Sequence, residues 1–222
     1  MKELQNWCQA KGIEISGKQL EQFELYKENL LDWNQRINLT AIIDYTGIWQ
    51  KHFADSLSLL PLLPQGIRLI DVGSGAGFPG IPIKIMRPDI DVTLLDSLRK
   101  RINFLEDTLH RLELAEVKCI HARAEELSRQ SEHSHSYDIC TARAVARLDK
   151  LCKWCLPFIK PDTGLFLAMK GPNVKEEVDE AKAKIAKLRG KIVDIKYMEI
   201  VEGMVHSVVL CKFFATLPNH QN

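Results

Sequence analysis

Long apolar runs are missing from this chain. No stretch of about 18 apolar residues occurs, so nothing in it reads as a membrane span. The opening residues MKELQNWCQAKG lack the apolar segment of a secretory leader, and a cytoplasmic protein is expected. Cysteine is scarce and scattered: Cys8, Cys119, Cys140, Cys152, Cys155 and Cys211 lie in apolar surroundings, which suits reduced, buried thiols better than a disulfide framework. Cys152 and Cys155 form CKWC, but a zinc site needs four ligands and no second CxxC or HxxxH follows, so no metal is assigned. Charge of one sign is lacking too. A formal net charge of +1 neither demands nor excludes a polyanionic partner, so the distribution of basic residues has to decide. There is no internal repeat and no low-complexity tract; RQSEHSHSY, with His133 and His135, reads as a loop.

What remains is ordinary globular composition: 222 residues, 45% hydrophobic and 27% charged, long enough for one sizeable α/β domain and short for two cores. Residues 1–64 read as a helical extension. Leu20, Phe23, Tyr26, Leu30 and Trp33 recur at helical spacing, a second helix is expected from about Thr46 to Leu60, and WNQRINLTAI between them reads as a polar turn. From residue 65 to 217 short apolar runs alternate with helical patterns. RLIDV, DVTLLD, VKCIHA, YDICTA and GLFLAMK are the strands, and repeated βα units imply a parallel sheet covered on both faces. KIVDIKYMEI and HSVVLCKFF, joined through Glu202 and Gly203, read as a closing antiparallel hairpin. Residues 218–222 form a tail. Leu148, Leu151, Cys152, Cys155 and Ile159 fall on one helical face, which makes packing the reading of CKWC.

The chemistry concentrates in DVGSGAGFPG, Asp71 to Gly80. A strand that runs through a glycine-rich turn into a helix brings backbone N–H groups close to a ligand, because glycine has no Cβ to block the approach. Gly75, Gly77 and Gly80 fit the dinucleotide pattern GxGxxG, while Asp71, Gly73, Gly75 and Gly77 fit DxGxGxG. An acid at the strand end opposes a pyrophosphate and tolerates the sulfonium and ammonium of S-adenosylmethionine; Pro79 and Pro82 also suit a dinucleotide helix start poorly. Asp96, at the end of the second strand, can accept hydrogen bonds from ribose hydroxyls of either cofactor class. After the third strand, Ala124 and Glu125 lie where they can bracket an adenine ring. His52, Asp55 and Ser56 contain the residue types of a hydrolase triad, but all three sit on one short segment, so packing or cleft lining is the better reading.

WNQRINLTAI, HFADSL, DVGSGAGFPGIP, LLDSLRKRINFL, RAEEL and DICTARAVA, in this order from Trp33 to Gly171, closely resemble the bacterial small-subunit ribosomal RNA guanine-N7 methyltransferase family, also called glucose-inhibited division protein B. The resemblance implies a class I S-adenosylmethionine-dependent methyltransferase fold, Rossmann-like, with a seven-stranded, mostly parallel sheet ending in an antiparallel hairpin. It implies methyl transfer to N7 of a guanine in the 530 loop of 16S rRNA, with S-adenosylhomocysteine as product and 16S rRNA or the 30S subunit as partner. Gly73, Phe78, Ala124, Glu125 and Arg143 carry over as cofactor positions, beside Asp71, Gly75, Gly77 and Asp96 from the loop and strand ends. One departure is Val205 before His206, where the family often has arginine. A monomer is expected.

Guanine N7 has an in-plane lone pair and no proton to lose, so no general base is assigned, and Arg143 is the one candidate for a role at the methyl group. Basic residues expected at the same sheet edge, Arg99, Lys100, Arg101, Arg123, Arg147 and Lys170, are candidates for RNA phosphates. Two other classes stand beside this reading. A nicotinamide-dependent oxidoreductase would use GxGxxG and bind NAD, and a noncatalytic RNA-binding factor would keep the fold without transferring a methyl group.

Overall fold

The apolar runs pair into one seven-stranded sheet of order β3-β2-β1-β4-β5-β7-β6 in a computed structural model that describes residues 1–216. The strands are β1 (Arg68–Val72), β2 (Asp91–Asp96), β3 (Val117–His121), β4 (Ile139–Arg143), β5 (Leu165–Lys170), β6 (Gly190–Val201) and β7 (Met204–Phe213). β1 to β5 are parallel, and β7 runs antiparallel to both β5 and β6, so the closing hairpin is as expected. β1 pairs with β2 on one side and β4 on the other, and the order reverses there; in open α/β sheets ligands bind at such a switch point, outside the carboxyl ends of the strands.

Alternation along the strands divides the core in two. Leu69, Val92, Leu94, Ile139 and Leu167 join one apolar cluster, while Ile70, Val72, Leu95, Cys140 and Phe166 join the other. Helices α1 (Lys2–Ala10), α2 (Gly17–Ile37), α5 (Gly80–Met86) and α6 (Arg99–Arg111) contribute to the first cluster, together with Trp49 to Leu57. α7 (Ala124–Leu127), α8 (Leu148–Cys155) and α9 (Lys175–Lys187) contribute to the second. CKWC belongs to that second core, where Cys152 Sγ lies 3.8 Å from Cys211 Sγ; that contact, then burial, pushes the Cys152 thiol far above the ordinary range, and burial does the same to Cys155.

The helical extension covers the sheet. Phe23, Tyr26 and Leu30 of α2 are wholly buried in the same cluster as β1 and β2, each contributing about 1.5–3 kcal/mol by burial. Gln22 donates to the Leu112 carbonyl at 2.8 Å and Asn29 to Thr108 Oγ1 at 2.9 Å, fixing α2 along α6. α2 begins with a capping box: Ser16 Oγ accepts from the Gln19 N–H, and the Gln19 side chain accepts from the Ser16 N–H. It runs further than the sequence suggests. WNQRI is its last turn, and the chain leaves the helix at Asn38, which adopts φ 50°.

The expected continuous helix from Thr46 to Leu60 is broken. α3 (Tyr45–Ile48), capped by Asp44 through the Gly47 N–H, opens into a π-helical stretch at Trp49–Ala54, followed by α4 (Asp55–Leu57) and a 3-10 turn at Leu60–Leu62. The wider π turn presents His52 and Asp55 toward the sheet edge, and Ser56 Oγ bonds back to the His52 carbonyl at 2.6 Å, so the three form no triad. The expected tail 218–222 lies outside the described residues. No helix among the described residues is long and apolar enough to cross a membrane.

Candidate active site

β1 ends at Val72 and the glycine loop folds over the neighbouring strand. Gly73 and Ser74 donate their N–H groups to the Leu95 carbonyl at 2.8 and 3.0 Å, and Gly75 N–H donates to Asp96 Oδ2 at 2.9 Å. Asp96, almost fully buried, also accepts from the Leu98 N–H at 2.9 Å and from Arg101 at 3.3 Å, so it joins the loop to the start of α6. The loop forms one wall of a cavity of about 520 Å³ at the switch point. Gly73, Gly75, Phe78, Asp96, Ala124, Glu125 and Arg143 all line it, as do Arg101 and Arg123. His52, for which cleft lining is one expectation from sequence, lines it too, together with Thr40 and Trp154, which no sequence motif marks as part of a site.

Two expected cofactor positions are not there. Asp71 is fully buried beneath the loop, where its carboxyl accepts from the Gly80 N–H at 3.2 Å and from Thr141 Oγ1 at 3.1 Å. It shares strand parity with Leu69, so its side chain points into the layer under α5 instead of toward the cavity. Burial pushes its pKa up to about 6, against the pull of the Gly80 and Thr141 hydrogen bonds. Asp71, expected at the cofactor, instead braces the loop from below and does not line the cavity. Gly77 also turns away. At φ +88° a Cβ there would come within 2.6 Å of the Tyr26 hydroxyl and of Ile81. Tyr26, wholly buried, donates its hydroxyl to the Ala76 carbonyl, so α2 holds the loop from outside the cavity.

A second cavity of about 520 Å³ shares His52, Arg143 and Ala144 with the first and extends to Lys51, Asp55, Lys170 and His206. Arg143, at the end of β4, is the hub between them. Its Nη1 donates to the Lys51 carbonyl at 2.9 Å and to Asp55 Oδ2 at 2.8 Å, and its guanidinium lies 4.9 Å from the Phe78 ring centroid. His52 stacks on Phe78 at 4.5 Å and shares a hydrogen bond with Thr40 Oγ1 at 2.9 Å. Burial, followed by the Arg143 charge, lowers its pKa to about 4, so the ring is neutral near pH 7. On the other side of Asp55, His206 Nδ1 donates to Oδ1 at 2.5 Å. The Asp55 hydrogen bond raises the His206 pKa. One carboxylate, 2% exposed, thus bridges two basic side chains that come from β4 and β7.

The RNA candidates separate by position. Arg101 and Arg123 reach the first cavity and Lys170 the second, while Arg99, Lys100 and Arg147 line neither. Lys170 is held by the Ala146 carbonyl at 2.7 Å and by Glu177 at 2.8 Å, and Arg147 pairs with Glu180. Asp55 and His206 lie 151 residues apart in sequence, and nothing local joins them.

The first cavity fits a nucleoside carrying an amino-acid arm. Gly75 leaves open space where a Cβ would sit, its nearest neighbour being the Gly73 carbonyl at 3.8 Å. Asp96 and Glu125 place carboxylates in the cavity wall, and the first N–H groups of α7, at Ala124 and Glu125, donate to no acceptor among the described residues. Trp154, Ala122 and Ala124 offer apolar surface for a flat base.

Comparison with known proteins agrees with this geometry. The family model described as rRNA small subunit methyltransferase G, GidB, matches residues 19–205. The chain is 45% identical over 212 residues to a protein of Clostridium botulinum named ribosomal RNA small subunit methyltransferase G, spanning 94% of this chain and 88% of that one. It is 45% identical over 202 residues to a protein of the same name from Desulfitobacterium hafniense, spanning 91% and 84%. Among solved structures it is similar to TYW2 of M. jannaschii in complex with AdoMet, with TM-score 0.57, 17% identity and 77% of each chain covered. TrmN of Thermus thermophilus is a second, with TM-score 0.53, 17% identity, and 72% of this chain and 48% of that one covered. At these identities the two structures speak for the fold.

Proposed function

The chain belongs to the rRNA small subunit methyltransferase G family, S-adenosylmethionine-dependent enzymes of 16S rRNA, and we propose that it uses its two adjoining cavities to methylate N7 of a guanine in the 530 loop. The observation that carries the proposal is the shared wall: Arg143, His52 and Ala144 belong to both cavities, so whatever fills one lies against whatever fills the other. The first cavity holds the cofactor through the glycine loop, Asp96, Ala124 and Glu125, with Phe78 and Arg143 closing the end that faces the second. When bound, S-adenosylmethionine supplies a sulfonium-activated methyl group, whose C–S electrons stay on sulfur as the N7 lone pair forms the new C–N bond.

No proton leaves the nucleophile, so the protein needs no base at the reacting atom. Its task is to hold N7 in line and keep water out, a positioning effect that can supply several orders of magnitude in rate. Arg143 suits that task because the Lys51 carbonyl, Asp55 and the Phe78 ring fix it, leaving little freedom to lose in the transition state. His52, neutral at working pH, adds no second positive charge beside the methyl donor. The partner is 16S rRNA, free or within the 30S subunit, met by a monomeric cytoplasmic protein; exposed Arg99 and Lys51 and the cavity residue Arg123 are the phosphate contacts. Family membership removes the oxidoreductase alternative. A noncatalytic role is tested by incubating the protein with methyl-labelled S-adenosylmethionine and unmodified 16S rRNA, free and as 30S subunits. Label in the RNA supports the proposal; binding of RNA and cofactor without transfer refutes it.

A further inference from the structure

The second cavity opens beside the first and shares a wall with it. We propose that this cavity receives the target guanine, swung out of the RNA, and that His206 selects it by donating Nε2–H to guanine O6. The proposal rests on the reading that the protein methylates guanine N7.

A base attacked at N7 must keep that lone pair free. An arginine fork on O6 and N7, the commonest way proteins read guanine, would mask the nucleophile, so on that edge of the base recognition falls on O6 alone. Arg143 Nη1 is already engaged by the Lys51 carbonyl and by Asp55. Its Nη2 lies 3.3 Å from His52 Nδ1, Lys170 is held by the Ala146 carbonyl and Glu177, and Lys51 lies exposed at the edge, which leaves His206 within the cavity. Asp55 occupies its Nδ1 at 2.5 Å, and among the described residues its Nε2 has no hydrogen-bond partner. A carboxylate so close to Nδ1 favours the doubly protonated ring, which makes Nε2–H a donor. Adenine carries an amino group where guanine has O6, so two donors would face each other and adenine is rejected.

The rest of the cavity suits a planar ring. Ile42, Met169 and Met204 provide apolar surface, and the volume of about 520 Å³ is within the range of small-ligand pockets. Lys51, exposed at its edge and without a side-chain partner among the described residues, is available to a flanking phosphate. Extrusion of the base is the usual solution for an enzyme whose target atom must enter a closed site.

The test crosses two enzymes with two bases. Unmodified 16S rRNA is ligated around a synthetic segment carrying guanine or 2-aminopurine at the target position; the analogue keeps N7 and the 2-amino group but has hydrogen in place of O6 and no proton on N1, so the difference between the two enzymes, not between the two bases, reads the His206 contact. His206→Ala is expected to lower the rate on guanine about 10–100-fold, the worth of one charge-assisted hydrogen bond, and on 2-aminopurine by no more than about threefold. Affinity for S-adenosylmethionine should be unchanged, because His206 does not line the first cavity. His206→Gln, which restores an N–H donor near the same position, should recover part of the guanine rate. Equal losses on both bases, or a matching loss of cofactor affinity, would overturn the assignment of His206. Failure of the unaltered protein to methylate guanine at all would instead overturn the reading on which the proposal rests.

Discussion

Gly75 and Gly77 sit two residues apart in one motif, but the structure gives them different jobs, and alanine at each separates the two. At Gly75 a Cβ meets nothing nearer than the Gly73 carbonyl at 3.8 Å, so Gly75→Ala costs only the left-handed backbone, φ +59°, about 1–2 kcal/mol. Gly77→Ala carries a similar backbone cost at φ +88° and adds contacts of 2.6 Å with the Tyr26 hydroxyl and Ile81. Overpacking of that kind costs about 1–3 kcal/mol. If Tyr26 gives way, its buried hydroxyl loses the Ala76 carbonyl, about 1–3 kcal/mol more. The sum, about 3–8 kcal/mol, is a large part of the stability of an ordinary domain. Urea unfolding without ligand gives both values, and calorimetric titration gives cofactor affinity for each variant. Gly75→Ala should lose affinity and stay stable, whereas Gly77→Ala should lose stability. Tyr26→Phe, which removes the crowding hydroxyl, should cost at least about 1 kcal/mol less in the Gly77→Ala background than alone. Equal destabilisation by the two glycine variants, with additive Tyr26→Phe, would refute the assignment of Gly77 to the interface with α2.

Arg143→Ala should destabilise by about 2–3 kcal/mol, below the full cost of a broken buried pair because His206 still reaches Asp55; Asp55→Asn, which takes the carboxylate from both Arg143 and His206, should cost at least as much, and the double variant should be non-additive by about 1 kcal/mol or more. Arg143→Ala should reduce methylation by more than the unfolded fraction explains; matching losses count against its place at the methyl group. His52, held near pKa 4 against 6.5, contributes stability that is complete above pH 6.5 and lost as pH falls to 4, about 3 kcal/mol in all. Asp71, raised from 3.8 to about 6, works the other way, with stability lost as pH rises through that window. Relative to the unaltered protein, His52→Gln should therefore gain stability toward pH 4 and Asp71→Asn toward pH 7, and difference curves of the same sign would contradict both assignments. Trp154 lines the first cavity, so S-adenosylmethionine should change the tryptophan emission and Trp154→Phe should abolish most of that change; an unaltered response moves the cofactor elsewhere.

The sheet and its hairpin are legible in the sequence because each strand is a short apolar run bounded by turn residues, and helix spacing marks α2, α6 and α9. The glycine loop is legible as a ligand cradle, but the direction of its side chains is a matter of parity. Leu69 and Asp71 are two residues apart on one strand, so the alternation that buries Leu69 under α5 buries Asp71 there as well. RLIDV carries that signal in its alternation, whereas the DxGxGxG spacing carries none about side-chain direction. The π-helical stretch at Trp49–Ala54 leaves no periodic trace, since it adds one residue to a turn without changing which residue types are apolar. The Asp55 network is illegible for another reason. Its members come from three elements, and only the pairing of β7 with β5 carries His206 to the end of β4. Sequence drew attention to Val205, the departure from the family pattern, while the structure directs it to its neighbour His206.

Mapping the methylated position tests the central assignment most directly. Unmodified 30S subunits and free 16S rRNA are incubated with the protein and labelled S-adenosylmethionine, and the RNA is cleaved chemically at 7-methylguanine. The two-cavity site predicts one new cleavage, at a guanine in the 530 loop, that depends on both protein and cofactor. Label on a base amino group, on ribose or at a guanine elsewhere in the RNA, or no label in either form of the substrate, would contradict it.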